Sequence, residues 1–183
     1  MKLLVLSDIH GRVDRARDVM ALHADADALL FLGDGIRSLP YEEWMGQGKL
    51  FAGVRGNCDS FLFGSDYEFS NELLLNFDAY TVMMMHGHTH GVKGGIERAL
   101  AYAYGRGANL LLYGHTHRAE ERYFPEGTKI GDLTLHHPMW VMNPGSLGEP
   151  REGNPSYGLV QIRNGQILLS HGDAPYFSFA KEK

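Results

Sequence analysis

The sequence predicts an α/β fold in which a parallel β-α-β portion is joined to antiparallel β-structure. Three observations predict it. Short apolar runs stop abruptly at Gly, Asp, Asn or His, as buried strands do where they meet turn residues. Between the first two runs, apolar residues recur at helical spacing, so those strands should connect by a helical crossover and lie parallel. Towards the end, paired runs flank hairpin residues, above all Asn164-Gly165.

Taken in order, the first strand spans 2–6 and stops at Ser7-Asp8. Within 12–24, Val13, Ala16, Met20 and Ala21 recur at helical spacing with charges between them. A second strand, 28–32, ends at Gly33-Asp34, and a short helix at 41–45 follows Pro40. Strand 50–54 stops at Arg55-Gly56-Asn57. Residues 68–75 and 80–85 should pair as a hairpin across Asn76-Phe77-Asp78-Ala79, with Met83-Met84-Met85 as strand core. A helix at 96–104 is closed by Gly105, and strand 109–113 ends at Gly114-His115. Residues 118–124, 129–135 and 140–142 read as short strands, with a turn at Pro125-Glu126-Gly127, and 157–163 with 166–170 form the last hairpin. No repeat, low-complexity tract or linker interrupts the chain, so 1–183 is expected to be one domain.

Composition narrows the function classes. The chain is 44% hydrophobic and 21% charged, enough to bury a core and unlike a disordered segment. Its net charge of −5, without a basic block, argues against a broad nucleic-acid surface. Cys58 is the single cysteine, so no internal disulfide can form, which suits a reducing compartment. The first apolar run is too short for a signal-peptide core, and no stretch approaches the ~20 apolar residues of a membrane helix. The expectation is a soluble, cytoplasmic protein without membrane contact.

Ten histidines are present, and His10, His86, His88, His90, His115 and His117 fall in three short clusters. Asp8-Ile9-His10, Gly33-Asp34, Gly56-Asn57-Cys58-Asp59, His86-Gly87-His88 and Gly114-His115-Thr116-His117 each follow a predicted strand. Ligands in open α/β sheets bind beyond the carboxyl ends of the strands, so these five loops should meet at one edge. Carboxylate, imidazole and amide oxygen suit Mn, Fe, Zn or Ni. The donors outnumber the needs of one ion, which points to two divalent cations clamping a phosphoryl displacement. Two such cations outweigh Asp8, Asp34 and a hydroxide, so the site should attract an anionic ester.

The ordered set resembles the calcineurin-like metallophosphoesterase superfamily, and within it the YfcE-type phosphodiesterases. Ser7-Asp8-Ile9-His10-Gly11, Gly33-Asp34, Arg55-Gly56-Asn57-Cys58-Asp59, His86-Gly87-His88, Gly114-His115-Thr116-His117, Asn143-Pro144-Gly145-Ser146 and Asn154-Pro155-Ser156-Tyr157 carry the likeness. It implies a four-layer α/β/β/α sandwich of two mixed sheets. It implies a first metal on Asp8, His10, Asp34 and His117, and a second on Asn57, His86 and His115, with Asp34 bridging. Mn²⁺ is the first choice of ion, with Fe, Zn or Ni as alternatives. The catalytic set is Asp34, Asn57 and His88, where His88 lies close to the substrate or supports the ligands. Asn143-Pro144-Gly145-Ser146 is a turn with either a structural or a functional role. Asp59 supports the loop backbone, and His23, His90, His136, His137 and His171 are expected on the surface.

Two departures matter. Cys58 stands where many superfamily members have histidine, and a thiol is a poorer hydrogen-bond donor to phosphate than imidazolium. The expectation is a phosphodiesterase acting on small diesters through a hydroxide activated by a dinuclear centre, weak on monoesters. Residues 125–138 are longer than the family pattern and form a surface hairpin, a cover for the site or a subunit contact. A phosphomonoesterase or dinucleotide polyphosphate hydrolase is an alternative. So is a non-catalytic scaffold, since the scaffold subunit of the retromer coat has this fold. Exposed strands and Tyr176-Phe177-Ser178-Phe179 leave a homo-oligomer open.

Overall fold

The computed structural model describes residues 1–59 and 69–175. The first sheet is built around β1 (Lys2–Leu6), parallel to β2 (Ala28–Phe31), which pairs in parallel with β3 (Leu50–Gly53). On its other side β1 pairs antiparallel with β11 (Ser156–Arg163), itself hairpinned to β12 (Gln166–Asp173). The turn of that hairpin places Asn164 at φ 52° and Gly165 at φ 72°, the geometry an Asn-Gly pair favours.

The second sheet has the order β4-β5-β6-β10-β7. Its members are β4 (Glu72–Phe77), β5 (Tyr80–Met85), β6 (Leu110–Tyr113), β7 (Ala119–Phe124) and β10 (Met139–Pro144). Strands β5, β6 and β10 are parallel, and β4 and β7 add antiparallel edges. A small hairpin, β8 (Lys129–Ile130) with β9 (Leu133–Thr134), stands apart.

Strand periodicity builds the layers. Leu3 and Val5 face the second sheet and pack with Val82, Met84, Leu110 and Leu112. Leu4 and Leu6 point the other way, onto Ala16, Val19 and Met20 of α1 (Val13–Leu22), beside Trp44 of α2 (Tyr41–Met45). Met83, Met85 and Leu111 face Ala99, Leu100 and Ala103 of α3 (Glu97–Gly105). The result is the four-layer α/β/β/α sandwich. Each fully buried Leu or Val contributes about 1.5–3 kcal/mol. The methionine triplet is core, as its place in a two-faced buried strand requires.

Several expectations need correction. The buried stripe of α1 is Ala16, Val19 and Met20, and Ala21 is exposed. His23 continues that stripe one turn on, so it is buried against the ring of Tyr157 at 4.9 Å and not on the surface. The strand expected at 68–75 starts at Glu72 and runs to Phe77, and position 68 lies outside the described residues. Asp78 tolerates φ 51°, which lets residues 78–79 alone make the turn. The expected strand 129–135 is split by Gly131 at φ 58° into β8 and β9. Leu135 after it is buried against the α3 layer, so 125–138 form a hairpin pinned there. His90 is half-buried beside Tyr102, His137 stacks on Tyr104 at 4.4 Å, and half-buried His171 donates to the Asn143 carbonyl. Tyr176-Phe177-Ser178-Phe179 lie outside the described residues.

Candidate metal centre

The six parallel strands β1, β2, β3, β5, β6 and β10 send the loops that follow them to one edge of the sandwich. There the backbone leaves the usual L-residue regions. Seven described non-glycine residues have positive φ, and five of them are Asp8, His10, Asp34, His115 and His117. The other two, Asp78 and Asn164, occupy hairpin turns. Left-handed backbone costs of order 1–3 kcal/mol per residue and persists where surrounding contacts over-determine it.

Those contacts are specific. Asp8 is fully buried, and its Oδ2 accepts from Ser7 Oγ at 2.5 Å and from the His115 backbone N–H at 3.1 Å. Asp34 Oδ1 accepts from the Cys58 N–H at 2.8 Å. Buried Asp59 carries the loops as expected. Its Oδ2 accepts from the N–H groups of Asp34 and Gly56, and its Oδ1 from those of Gly35 and Ile36. Gly56 must lack a side chain, because a Cβ there would lie 2.0 Å from Asp34 Oδ1.

With one oxygen of each aspartate tied back, the other faces the histidines. His117 Nε2 lies 3.1 Å from Asp8 Oδ1, and His10 Nε2 lies 3.8 Å from both Asp8 Oδ1 and Asp34 Oδ2. His86 Nε2 lies 3.4 Å from Asp34 Oδ2, 3.2 Å from Asn57 Oδ1 and 3.2 Å from His115 Nδ1. Donor atoms of Asp8, His10 and His117 lie within 4.8 Å of one another, as do those of Asp34, His86 and His115. All seven residues expected to hold metal are thus brought together. Cys58 joins His10 and Asp34 in a third such grouping.

Two observations test whether this set suits cations. Asp8 Oδ1 is buried, and what faces it is imidazole nitrogen, His117 Nε2 at 3.1 Å and His10 Nε2 at 3.8 Å, with no backbone or hydroxyl donor among the described residues. His86 Nδ1 donates to the Leu32 carbonyl at 2.7 Å, and His117 Nδ1 donates to the Glu149 carbonyl at 2.7 Å. In the neutral rings those bonds leave the Nε2 lone pairs pointing inward, as ligating histidines present them. His86 Nε2 then opposes the oxygens of Asn57 and Asp34, an arrangement that calls for positive charge between them. The donors fit divalent metal ions.

Protonation follows the same logic. Burial opposes the charge on Asp8, yet His10, His117 and His86 hold its pKa well below the carboxylate range. Burial likewise opposes Asp34, and His86 with the Cys58 N–H brings it to about 2. Asp8 raises His10 and His117 against burial, while Asp34 and Asp8 outweigh the burial that would lower His86. His115 is pushed down to about 4 by burial, then by His86 and Lys93. Burial, followed by Asp34, pushes the exposed Cys58 thiol up to about 11.

His88 sits outside these groupings, with its ring 5.3 Å from His86 and 6.1 Å from His115. Burial, then His86, lowers its pKa. Its Nδ1 is buried without a hydrogen bond among the described residues.

The sequence reading missed much of the support. Fully buried Asn143 donates to the Gly114 carbonyl and Thr116 Oγ1, tying the end of β10 to the loop of His115 and His117. Ser146 Oγ donates to the Asp8 carbonyl at 2.7 Å. Asn143-Pro144-Gly145-Ser146 is therefore a brace for the site. The Glu149 carbonyl has no signature, since any residue offers one.

The fold and this edge define a two-sheet α/β/β/α protein with a candidate metal centre at the carboxyl ends of its strands. The chain belongs to the calcineurin-like phosphoesterase superfamily, whose domain model matches residues 1–165. It is 29% identical to the phosphodiesterase YfcE of Escherichia coli K12 over 187 residues, covering 87% of each chain. A predicted phosphoesterase structure from Streptococcus pneumoniae shares the fold at TM-score 0.69, with 22% identity, 93% of this chain covered and 87% of that one. The Vps29 structure from Chaetomium thermophilum shares it at TM-score 0.68, with 15% identity and 96% and 98% coverage. No described helix is long and apolar enough to cross a membrane.

Proposed function

We propose that the chain, acting as one domain over 1–183, is a phosphodiesterase that hydrolyses a small phosphodiester with two divalent cations, manganese first among them. The convergence of seven donor residues in two adjoining groups, one around Asp8 and one around Asp34, carries this reading. Asp8, His10 and His117 would hold one cation, Asn57, His86 and His115 the other, and Asp34 both. When bound, the cations supply Lewis acidity and lower the pKa of water towards neutrality.

The rest falls to the chain's own residues. The Leu32 and Glu149 carbonyls fix the tautomers of His86 and His117. The Ser7 hydroxyl and the Cys58 N–H stop the two carboxylates from turning away. His88 is the group outside the donor set that can meet an ester oxygen. Two carboxylates do not balance two divalent ions, so an anionic phosphate is favoured over a neutral ester. A Cys58 thiol that keeps its proton offers little to the second charge of a monoester, which favours diesters.

The protein should hydrolyse a chromogenic phosphodiester only with added Mn²⁺ and should carry two metal ions per chain by elemental analysis. Absence of turnover on every phosphoester by the Mn²⁺-loaded protein would overturn the reading. The likeness to Vps29 favours a second one, an interaction module of the same fold. Two bound ions with no turnover would be its signature.

A further inference from the structure

Beside the donors lies a cleft of about 740 Å³, within the size of small-molecule sites. One wall is Thr116, the residue between His115 and His117, and the opposite wall is the glycine-rich turn that carries Lys93. None of the seven donors lines the cleft itself, and Thr116 is its link to their loop, so a substrate arm that passes Thr116 would enter it. The cleft is polar, and its charge is uneven. Glu120 is engaged by the Tyr113 hydroxyl and by Arg122, and Arg118 pairs with Glu152 at 3.2 Å. Lys93 and Arg151 line the same space, are exposed, and have no acidic partner within 4.0 Å among the described residues, and Glu97 is the one lining carboxylate left without an ion pair among them. Arg151 is also fixed to the donor loop, because its backbone N–H donates to the His117 carbonyl at 2.9 Å. The protein as a whole carries −5, so a cleft where two unpaired cations face one unpaired carboxylate runs against its composition.

This inference rests on the phosphodiesterase reading and sharpens its substrate. We propose that the cleft receives one alcohol arm of the diester, and that Lys93 and Arg151 select arms bearing a second phosphoryl group. The substrate class is then a diester whose alcohol arm carries a second phosphoryl group, and not a diester of neutral alcohols. Small exposed ion pairs each give modest selectivity, so two should give roughly three- to tenfold together.

The test compares a dinucleoside monophosphate with the same compound carrying a terminal phosphate. The Mn²⁺-loaded protein should show kcat/KM roughly three- to tenfold higher for the phosphorylated compound. Lys93→Ala combined with Arg151→Ala should bring that ratio close to one, while Lys129→Ala, on the distant β8 hairpin, should leave it intact. Titration calorimetry with a chelator present, where no turnover intrudes, should show the same ranking in binding and its loss in the double variant. Cleavage of both compounds at equal rates, or an unchanged ratio in the double variant, overturns this inference and leaves the phosphodiesterase reading standing. Failure to cut either compound, or any other phosphoester, removes both.

Discussion

In the cluster around Asp8, the imidazoles of His10 and His117 lean on one buried carboxylate oxygen, and both are held more basic than an ordinary histidine. In the cluster around Asp34, His86 is likewise raised, but His115 is driven down to about 4 and already presents a lone pair. The first cluster therefore stores protons where the second is half ready for a cation. They share Asp34 and one rigid loop system, yet they should fill differently. The difference teaches that burial and neighbouring charge alone can make two adjoining donor clusters unequal in their readiness for a cation.

The comparison breaks most completely at the shared residue. Asp34→Asn should empty both clusters, with metal content falling well below two per chain and diester turnover falling by about 10³-fold or more. Asp8→Asn should cost one ion and leave the other, because Asp8 offers its free oxygen to the first cluster and touches the second chiefly through the His115 N–H. Elemental analysis of the two variants side by side checks this. Equal metal loss in both would show that the clusters are not separable.

Next in size is Asp59→Ala. Asp59 is not itself one of the seven donors, but its carboxylate accepts from four backbone N–H groups, that of Asp34 among them. Supporting groups of this kind are worth roughly 10–100-fold in metal affinity. The loss should fall mainly on the cluster built around Asp34, and competition titration with a chelating dye would read it. The four N–H groups left behind should also cost about 1–3 kcal/mol of stability in denaturant melts.

These variants also separate what the sequence could announce from what it could not. The donors were legible because each ends an apolar run, and runs such as 2–6 and 80–85 are strands as read. Their chemistry is in the side chains. The positive φ at Asp8, His10, Asp34, His115 and His117 had only a weak cue, because Asp and His tolerate that region but the contacts that impose it are distant in sequence. The carbonyls that orient His86 and His117 are equally silent. Histidines fared worse in the other direction. His23 was expected on the surface because it lies outside the family pattern, yet it follows the buried stripe of Ala16, Val19 and Met20 and is buried with it. Asn143 was readable as a turn residue only until its side chain was seen to hold the loop of His115.

A titration sharpens the comparison without mutation. Raised pKa values mean that His10 and His117 keep protons above 6.5, their ordinary value, so a cation must displace them. Affinity for the first cluster should rise with pH above 6.5, by up to about tenfold per unit for each proton released. The second cluster should respond less, since His115 needs no deprotonation in that range. The sign reverses for the metal-free fold. Its stabilisation by the raised histidines is present in full below 6.5 and fades as pH rises through their folded values. Thermal melts from pH 6 to 8.5 should therefore decline without metal and improve with Mn²⁺ present.

The smallest expected effect concerns the residue that lies against both clusters. Cys58 is exposed, donates its backbone N–H to Asp34, and holds its thiol proton to about pH 11. Cys58→His keeps the N–H that Asp34 needs and replaces a weak donor with an imidazole that can carry charge. The backbone geometry of the site is untouched, so diester rates should change little. A monoester presents an additional negative charge that only the new group would meet. Monoester turnover should rise a few-fold, in line with one added charge-assisted hydrogen bond at a partly exposed site. Rates on a matched mono- and diester pair, taken at fixed Mn²⁺, would read it. A parallel rise on both substrates would assign the change to metal loading and not to recognition of the phosphate.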